Sequence, residues 1–151
     1  MGDNHLDSWA TPSGRLVILG DAAHAMLPYM SQGAAMAIED GAALALVLGK
    51  IRSVRELPFA TRVFETERKK RAGQMQEASA VNSMIWHFED GPLQHARDAS
   101  MRAEVEHRPF LTSANQWSDP VTQAWAYGYD AEGEMEAAWD TAVSNLIVKS
   151  K

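Results

Sequence analysis

The run Arg15-Leu16-Val17-Ile18-Leu19, which ends at Gly20, limits most strongly how this chain can fold. Its short length and its valine and isoleucine favour a strand that is buried on both faces, as in a parallel sheet. No other segment of the 151 residues predicts a strand as clearly. A lone buried strand leaves its backbone N–H and C=O groups without partners. Residues 15–19 therefore need to pair with another copy of the chain or with a segment outside this sequence.

The rest of the chain is predicted to be mainly α-helical. The segment from Gly33 to about Lys50 is rich in alanine, and its small side chains let a helix approach a sheet or a flat ligand closely. Pro58 suits a first helical position, and Asp130 suits an N-cap. The fold class is thus one short strand plus about four helices. These helices are expected over about residues 33–50, 59–87, 93–106 and 131–148, with one or two further helical turns at 121–127.

The charge of the chain argues against two classes of partner. The formal net charge is −6 and the isoelectric point is near 5.3. A nucleic-acid binder would show a basic patch, and a helix that binds an anionic membrane surface would show basic residues on its polar face. We therefore expect neither nucleic acid nor membrane as a partner.

Several kinds of site are excluded or disfavoured by residue types. The chain has no cysteine, which excludes disulfides and cysteine-based metal sites. Its histidines are scattered and show no metal-ligand spacing, so no metal site is predicted. No window reaches the roughly 18 apolar residues of a membrane span. The polar, acidic start lacks the features of a signal peptide. These features favour a cytoplasmic protein.

The segment from Gly20 to Gly33 carries the residues best suited to chemistry. Asp21 follows the predicted strand directly, where a carboxylate can accept hydrogen bonds from sugar hydroxyls. Gly33 then begins a helix, whose first N–H groups are unpaired and partly positive. Such an end can hold an anionic or electron-rich ligand atom. One strand–turn–helix unit thus offers acceptors for hydroxyls and donors for a ring oxygen.

This segment resembles the second FAD-binding motif of single-component, FAD-dependent aromatic-ring monooxygenases. The pattern is most similar to salicylate hydroxylase-like and 6-hydroxynicotinate monooxygenase-like enzymes, and the stretch Trp-Ala-Tyr-Gly-Tyr-Asp at 125–130 resembles the end of fungal members. The motif residues are Gly20-Asp21-Ala22-Ala23-His24, then Pro28, Ser31-Gln32-Gly33 and Ala37-Ile38-Glu39-Asp40.

The resemblance implies a role for each residue of the motif. Asp21 would bind the ribityl part of FAD, and Pro28 would lie beside the flavin ring. Backbone N–H groups at the start of the following helix would face the pyrimidine edge of the flavin, where they would stabilise negative charge when the flavin is reduced. The implied FAD-binding residues are Gly20, Asp21, Pro28, Gly33, Ala34 and Ala35.

The resemblance also implies an activity. Family members use FAD with NADH or NADPH to hydroxylate a small aromatic substrate through a flavin hydroperoxide. Residues 1–52 would form the C-terminal part of the α/β FAD-binding domain, and residues 53–151 would form a C-terminal helical region.

Two family features are absent from this sequence. It contains no Gly-x-Gly-x-x-Gly turn for the FAD pyrophosphate, and no Asp-Gly motif precedes Gly20. We therefore expect a C-terminal fragment that is inactive in isolation. The alternatives are a truncated, non-catalytic helical protein and one half of a split enzyme. Its partner would be a missing N-terminal half or a second copy of the chain, and its exposed apolar surface would favour self-association.

The remaining charged and aromatic residues are predicted to have mainly structural roles. His24 is expected to be a hydrogen-bonded structural residue rather than a catalytic base. Of the adjacent pair Glu39 and Asp40, one is expected to be a cap or ion-pair partner and the other to be solvated. The charged stretch 65–71 is expected to form a solvated face with i,i+4 pairs, including Glu65–Lys69 and Glu67–Arg71. Four tryptophans are expected to pack in the core or an interface, or else to line an aromatic substrate pocket: Trp86, Trp117, Trp125 and Trp139.

Overall fold

The computed structural model describes residues 6–149, so the polar start at residues 1–5 and the last two residues lie outside the described part. Within it the chain is mainly α-helical, as predicted. Short 3-10 turns lie at Pro28–Met30 and Val54–Glu56. The α-helices are α1 (Asp21–His24), α2 (Gly33–Lys50), α3 (Leu57–Trp86), α4 (Pro92–Val105), α5 (Pro120–Tyr127) and α6 (Ala131–Lys149).

The predicted strand at 15–19 does not form a ladder in the described residues. Among residues 6–149 its only strand-like pairing is an isolated antiparallel bridge between Ala10 and Val17, supported by a hydrogen bond from Ile18 N to Trp9 O at 2.9 Å. Leu16 is 62% exposed. The strand prediction was therefore wrong for this chain, because an apolar run becomes a buried strand only where neighbouring strands supply hydrogen-bond partners.

Local sequence signals explain where the helices begin. Proline occupies one of the first two positions of α4 and α5, where its missing N–H costs nothing. The Asp119 carboxylate caps α5 by accepting from Thr122 N at 2.9 Å. Asp130 accepts from Gly133 N at 3.0 Å, as its predicted N-cap position requires. Pro58 is the second residue of α3 rather than the first.

The chain divides into two compact units, and α3 contributes to both. Within the described residues, the first unit contains residues 6–26, 32–74 and 130–149, and the second contains residues 27–31 and 75–129. The resemblance predicts a boundary at residue 52 between two segments of the family's sequence. A division by packing does not test that boundary, so it stays a prediction. None of the helices in the described residues is both long and apolar enough to cross a membrane.

The hydrophobic core of the first unit joins α2, α3 and α6. Ala43 and Val47 of α2 meet Phe64 of α3 and Met135 of α6, all fully buried. Phe59 and Trp139 pack edge-to-face, with ring centroids 5.2 Å apart. Lys50 pairs with Glu136 at the surface of the same helices. This packing fixes α2, whose first turn is part of the candidate site.

Candidate functional site

The turn before α1 and the start of α2 lie side by side. Asp21 is exposed, and its Oδ1 atom lies 3.7 Å from where a Cβ on Gly33 would be. No side chain caps the first turn of α2, and that turn contains no acidic residue. The N–H groups of residues 33–35 therefore remain as donors with partial positive charge. A carboxylate acceptor and backbone donors thus lie next to each other.

Gly20 allows this turn to approach α2 closely. Its backbone has φ 59° and ψ −145°, a conformation that favours glycine. A Cβ at this position would lie 3.2 Å from the Cβ of Ala37. The small residues of α2 thus permit the close approach, and a larger residue at either position would push the turn away.

The remaining predicted residues belong to different units. Ala34 is exposed and Ala35 is half-buried in the first turn of α2. Pro28 is exposed and begins a 3-10 turn that belongs to the second unit. The carbonyl of its neighbour Tyr29 accepts hydrogen bonds from Asn82 Nδ2 at 2.7 Å and Trp117 Nε1 at 2.8 Å.

Directly behind the Gly20 turn, Asp40 of α2 is fully buried. Its Oδ2 atom accepts from Gly20 N at 2.9 Å and from His24 Nε2 at 2.6 Å. Burial by itself would raise the pKa of Asp40, but hydrogen bonds from His24, Gly20 and Arg68 outweigh it, so the pKa lies below its ordinary value of 3.8. An ionised carboxylate only accepts, so His24 donates through Nε2.

Arg68 of α3 completes the buried cluster. Its Nε donates to Asp40 Oδ1 at 2.7 Å, and its Nη2 donates to the carbonyl of Met36 at 3.3 Å. Burial alone would lower the pKa of Arg68, but the hydrogen bond and charge of Asp40, with those of Glu39, raise that pKa above its ordinary value. Glu39 also pairs with Arg71, through its Oε1 atom at 3.3 Å.

These contacts correct two predictions about charged residues. Neither member of the Glu39–Asp40 pair is solvated. Arg68 is 0% and Arg71 is 2% exposed, so the stretch 65–71 is not a uniformly solvated face. The predicted Glu65–Lys69 pair forms, with 2.7 Å between the charged atoms. Glu67 instead pairs with Lys70, because Arg71 turns inward to Glu39.

The sequence contains a signal for the buried cluster in the spacing of its charged residues. Charged residue types by themselves, however, favour a solvated position. On α2, Asp40 shares one helical face with the buried residues Met36, Ala43 and Val47. On α3, Arg68 and Arg71 fall between Phe64 and Met75 at spacings of four, three and four residues. Each charge therefore interrupts an apolar stripe, which is the pattern expected of paired buried charges. No comparable signal identified Asn82 or Trp117 as partners of Tyr29.

Comparison with known proteins decides the family. Residues 3–79, just over half of the chain, match the family described as FAD binding domain. The chain belongs to this FAD-binding domain family. The predicted family is confirmed.

Relatives of this chain include named monooxygenases. The FAD-dependent monooxygenase OpS4 of Beauveria bassiana (strain ARSEF 2860) is 39% identical over 140 residues, which cover 93% of this chain and 31% of that protein. The 6-hydroxynicotinate 3-monooxygenase of Pseudomonas fluorescens is 50% identical over 78 residues, covering 51% of this chain and 20% of that protein.

A solved structure shares the fold of this chain. A salicylate hydroxylase in complex with its substrate matches with a TM-score of 0.65 and 26% identity, over 89% of this chain and 29% of that chain. The chain thus spans less than a third of the length of the relatives that it resembles. The similarity to FAD-dependent aromatic monooxygenases, predicted from the motif, is confirmed.

Proposed function

We propose that this chain supplies the flavin-contacting turn and helix of an FAD- and NAD(P)H-dependent monooxygenase that hydroxylates a small aromatic substrate. The observation that carries the proposal is the position of the exposed Asp21 carboxylate against Gly33 at the uncapped start of α2. The names of the relatives, which include a 6-hydroxynicotinate monooxygenase and a salicylate hydroxylase, support the substrate class.

The residues present fit a flavin. The Asp21 carboxylate, which makes no side-chain hydrogen bond within residues 6–149, is free to accept from ribityl hydroxyls. The N–H groups of Gly33, Ala34 and Ala35 are donors for a carbonyl at the pyrimidine edge. The resemblance assigns Pro28 a contact with the flavin ring, and its side chain is exposed. FAD would supply the redox and oxygen chemistry, including the predicted flavin hydroperoxide, while this chain positions the ring and stabilises its charge.

In the family, a Gly-x-Gly-x-x-Gly turn binds the FAD pyrophosphate. This sequence contains no such turn. We place the groups that bind the pyrophosphate, with most of the substrate pocket, on the part of the relatives that this chain does not match. That part would be joined to the chain or supplied as a separate N-terminal half. The predicted cytoplasmic location belongs to the same proposal.

The test uses a chimaera in which this chain replaces the matched segment of the Beauveria bassiana monooxygenase. We expect the purified chimaera to bind FAD. Asp21→Ala should weaken that binding at least about tenfold, as expected for the loss of hydrogen bonds to a charged group. Asp140→Ala, which changes an exposed aspartate of α6, is the matched control and should leave the Kd unchanged.

The same chimaera tests the reaction class. We expect substrate-stimulated oxidation of NADH or NADPH, and a product that gains one oxygen atom, with salicylate or 6-hydroxynicotinate as substrates. An FAD Kd that is equal for Asp21→Ala and Asp140→Ala would refute the assigned site. FAD titration of the isolated chain, followed by flavin fluorescence, shows in addition whether the second motif binds FAD without the rest of the fold.

A further inference from the structure

The carboxylate of Asp40 holds the Gly20 turn through hydrogen bonds to two residues, one before and one after Asp21 in the sequence. One oxygen, Oδ2, accepts from the backbone N–H of Gly20, the residue just before Asp21, at 2.9 Å. The same oxygen accepts from His24, at the end of α1, at 2.6 Å. Asp40 is fully buried and is not among the residues proposed to contact the flavin. Its contacts nevertheless restrain the backbone that carries the Asp21 side chain.

Asp40 also ties the turn to the start of α2. It is itself a residue of α2, and Arg68 links its other oxygen to the carbonyl of Met36 in the first turn and a half of that helix. The Asp21 carboxylate and the N–H groups of residues 33–35 are thus held against each other through one buried carboxylate. Small displacements of such groups cost binding and catalysis heavily, because the donors and acceptors of a site must be preorganised.

We propose that Asp40 is a positioning residue for FAD. Through its hydrogen bonds to Gly20 and His24, it holds Asp21 beside the uncapped start of α2. The inference rests on the proposed function, since it assigns Asp40 a task in that same site. A purely structural role is the competing explanation, because buried ion pairs occur without any relation to a ligand. The two explanations differ in whether stability and FAD affinity can be changed separately.

A double substitution separates them. Asp40→Leu with Arg68→Met replaces the two main buried charges with apolar groups of similar volume, a change that often leaves proteins folded and as stable as before. The turn then lacks its acceptor although the core is filled. Glu39→Gln is the matched control, because it removes charge from the same cluster without touching Gly20 or His24. Asp40→Asn keeps one acceptor oxygen and serves as the conservative variant.

The first measurement is amide hydrogen exchange of Gly20 in the full chain, labelled with ¹⁵N-glycine. The chain has ten glycines, so the spectrum is simple. We expect Gly20 to exchange at least about tenfold faster in the double variant than in the parent, as expected for a lost hydrogen bond to a charged group. Asp40→Asn should lie between them, and Glu39→Gln should match the parent. This readout requires no flavin.

The second measurement is the FAD Kd of the same variants in the chimaera. We expect the double variant to bind FAD at least about tenfold more weakly, with a changed flavin absorption spectrum. Asp40→Asn should restore part of the affinity, and Glu39→Gln should lower the unfolding midpoint without changing the Kd. Equal FAD affinity for the double variant and the parent overturns the positioning role, as does equal Gly20 exchange. If Asp21→Ala also leaves the affinity unchanged, the proposed function fails as well, and the two failures are thereby distinguished.

Discussion

Two backbone segments, one in each unit, are held by different kinds of contact. The Gly20 turn in the first unit is held by ionised, fully buried side chains, Asp40 and Arg68. The Tyr29 carbonyl in the second unit is held by neutral donors, the amide of Asn82 and the indole of Trp117. Asn82 is buried, whereas Trp117 is 48% exposed.

The difference lies in what each arrangement loses when one member is removed. In the charged cluster, removal of a partner leaves another charge buried without compensation, which costs several kcal/mol. Around Tyr29, removal of one donor leaves a second donor on the same carbonyl, and no charge is stranded. The first segment should therefore fail as a unit, and the second should weaken stepwise.

The largest effect is expected from Arg68→Met alone. It leaves Asp40 without its guanidinium partner and Glu39 with Arg71 only, so the free energy of unfolding should fall by about 3–5 kcal/mol. Urea unfolding followed by circular dichroism measures it. Arg62→Met, an exposed arginine on the same helix, is the control and should change stability by less than about 0.5 kcal/mol. Similar losses for the two variants would show that burial of the charge is not decisive.

The charged cluster should also make stability depend on acid. The pKa of Asp40 is lowered in the folded state, so its contribution is fully present above its ordinary pKa of 3.8 and is lost as the pH falls through the lower, folded value. Urea unfolding between pH 7 and pH 2 should show this loss for the parent and a flatter dependence for Asp40→Asn. Asp140→Asn should keep the dependence of the parent. A parallel acid dependence for Asp40→Asn and the parent would contradict the assignment.

A smaller effect is expected in the second unit. Asn82→Ala removes one donor from the Tyr29 carbonyl and the acceptor of Trp86 Nε1, which lies 3.0 Å from Asn82 Oδ1. The free energy of unfolding should fall by about 1–3 kcal/mol, less than for Arg68→Met. Asn145→Ala on the exposed side of α6 is the control. A loss as large as that of Arg68→Met would break the comparison, because neutral contacts would then equal charged ones.

The smallest effect is expected from the exposed pair Glu67–Lys70, whose charged atoms are 2.7 Å apart. Lys70→Ala should change the free energy of unfolding by about 0.2–0.5 kcal/mol, and about 1 M salt should abolish the difference. A salt titration of urea unfolding checks this value. A loss above about 1 kcal/mol would mean that exposure does not explain the ranking of these pairs.

Helix positions were predictable because they depend on local patterns. The predicted ranges for α2, α4 and α6 agree with the structure to within one or two residues, since proline, capping aspartate and apolar periodicity all act within a few residues. The strand at 15–19 was not predictable in the same way. Its apolar residues suit a buried strand, but a strand also needs neighbours, and the described residues give it a single bridge.

The features of the site also separate into those set by local sequence and those set by distant neighbours. The sequence by itself determined the motif, and therefore the family, the glycine at the tight turn and the place of Asp21 before a helix with free N–H groups. Only the tertiary structure decided which charges are buried. Arg68 and Arg71 belong to a run of charged residues whose composition is typical of a solvated surface. Their spacing on α3 nevertheless places them on the buried face of the helix. Whether a charge on that face is tolerated depends on partners from a distant part of the chain, such as Asp40 and Glu39, because ion pairing and desolvation are properties of neighbours in space rather than in sequence.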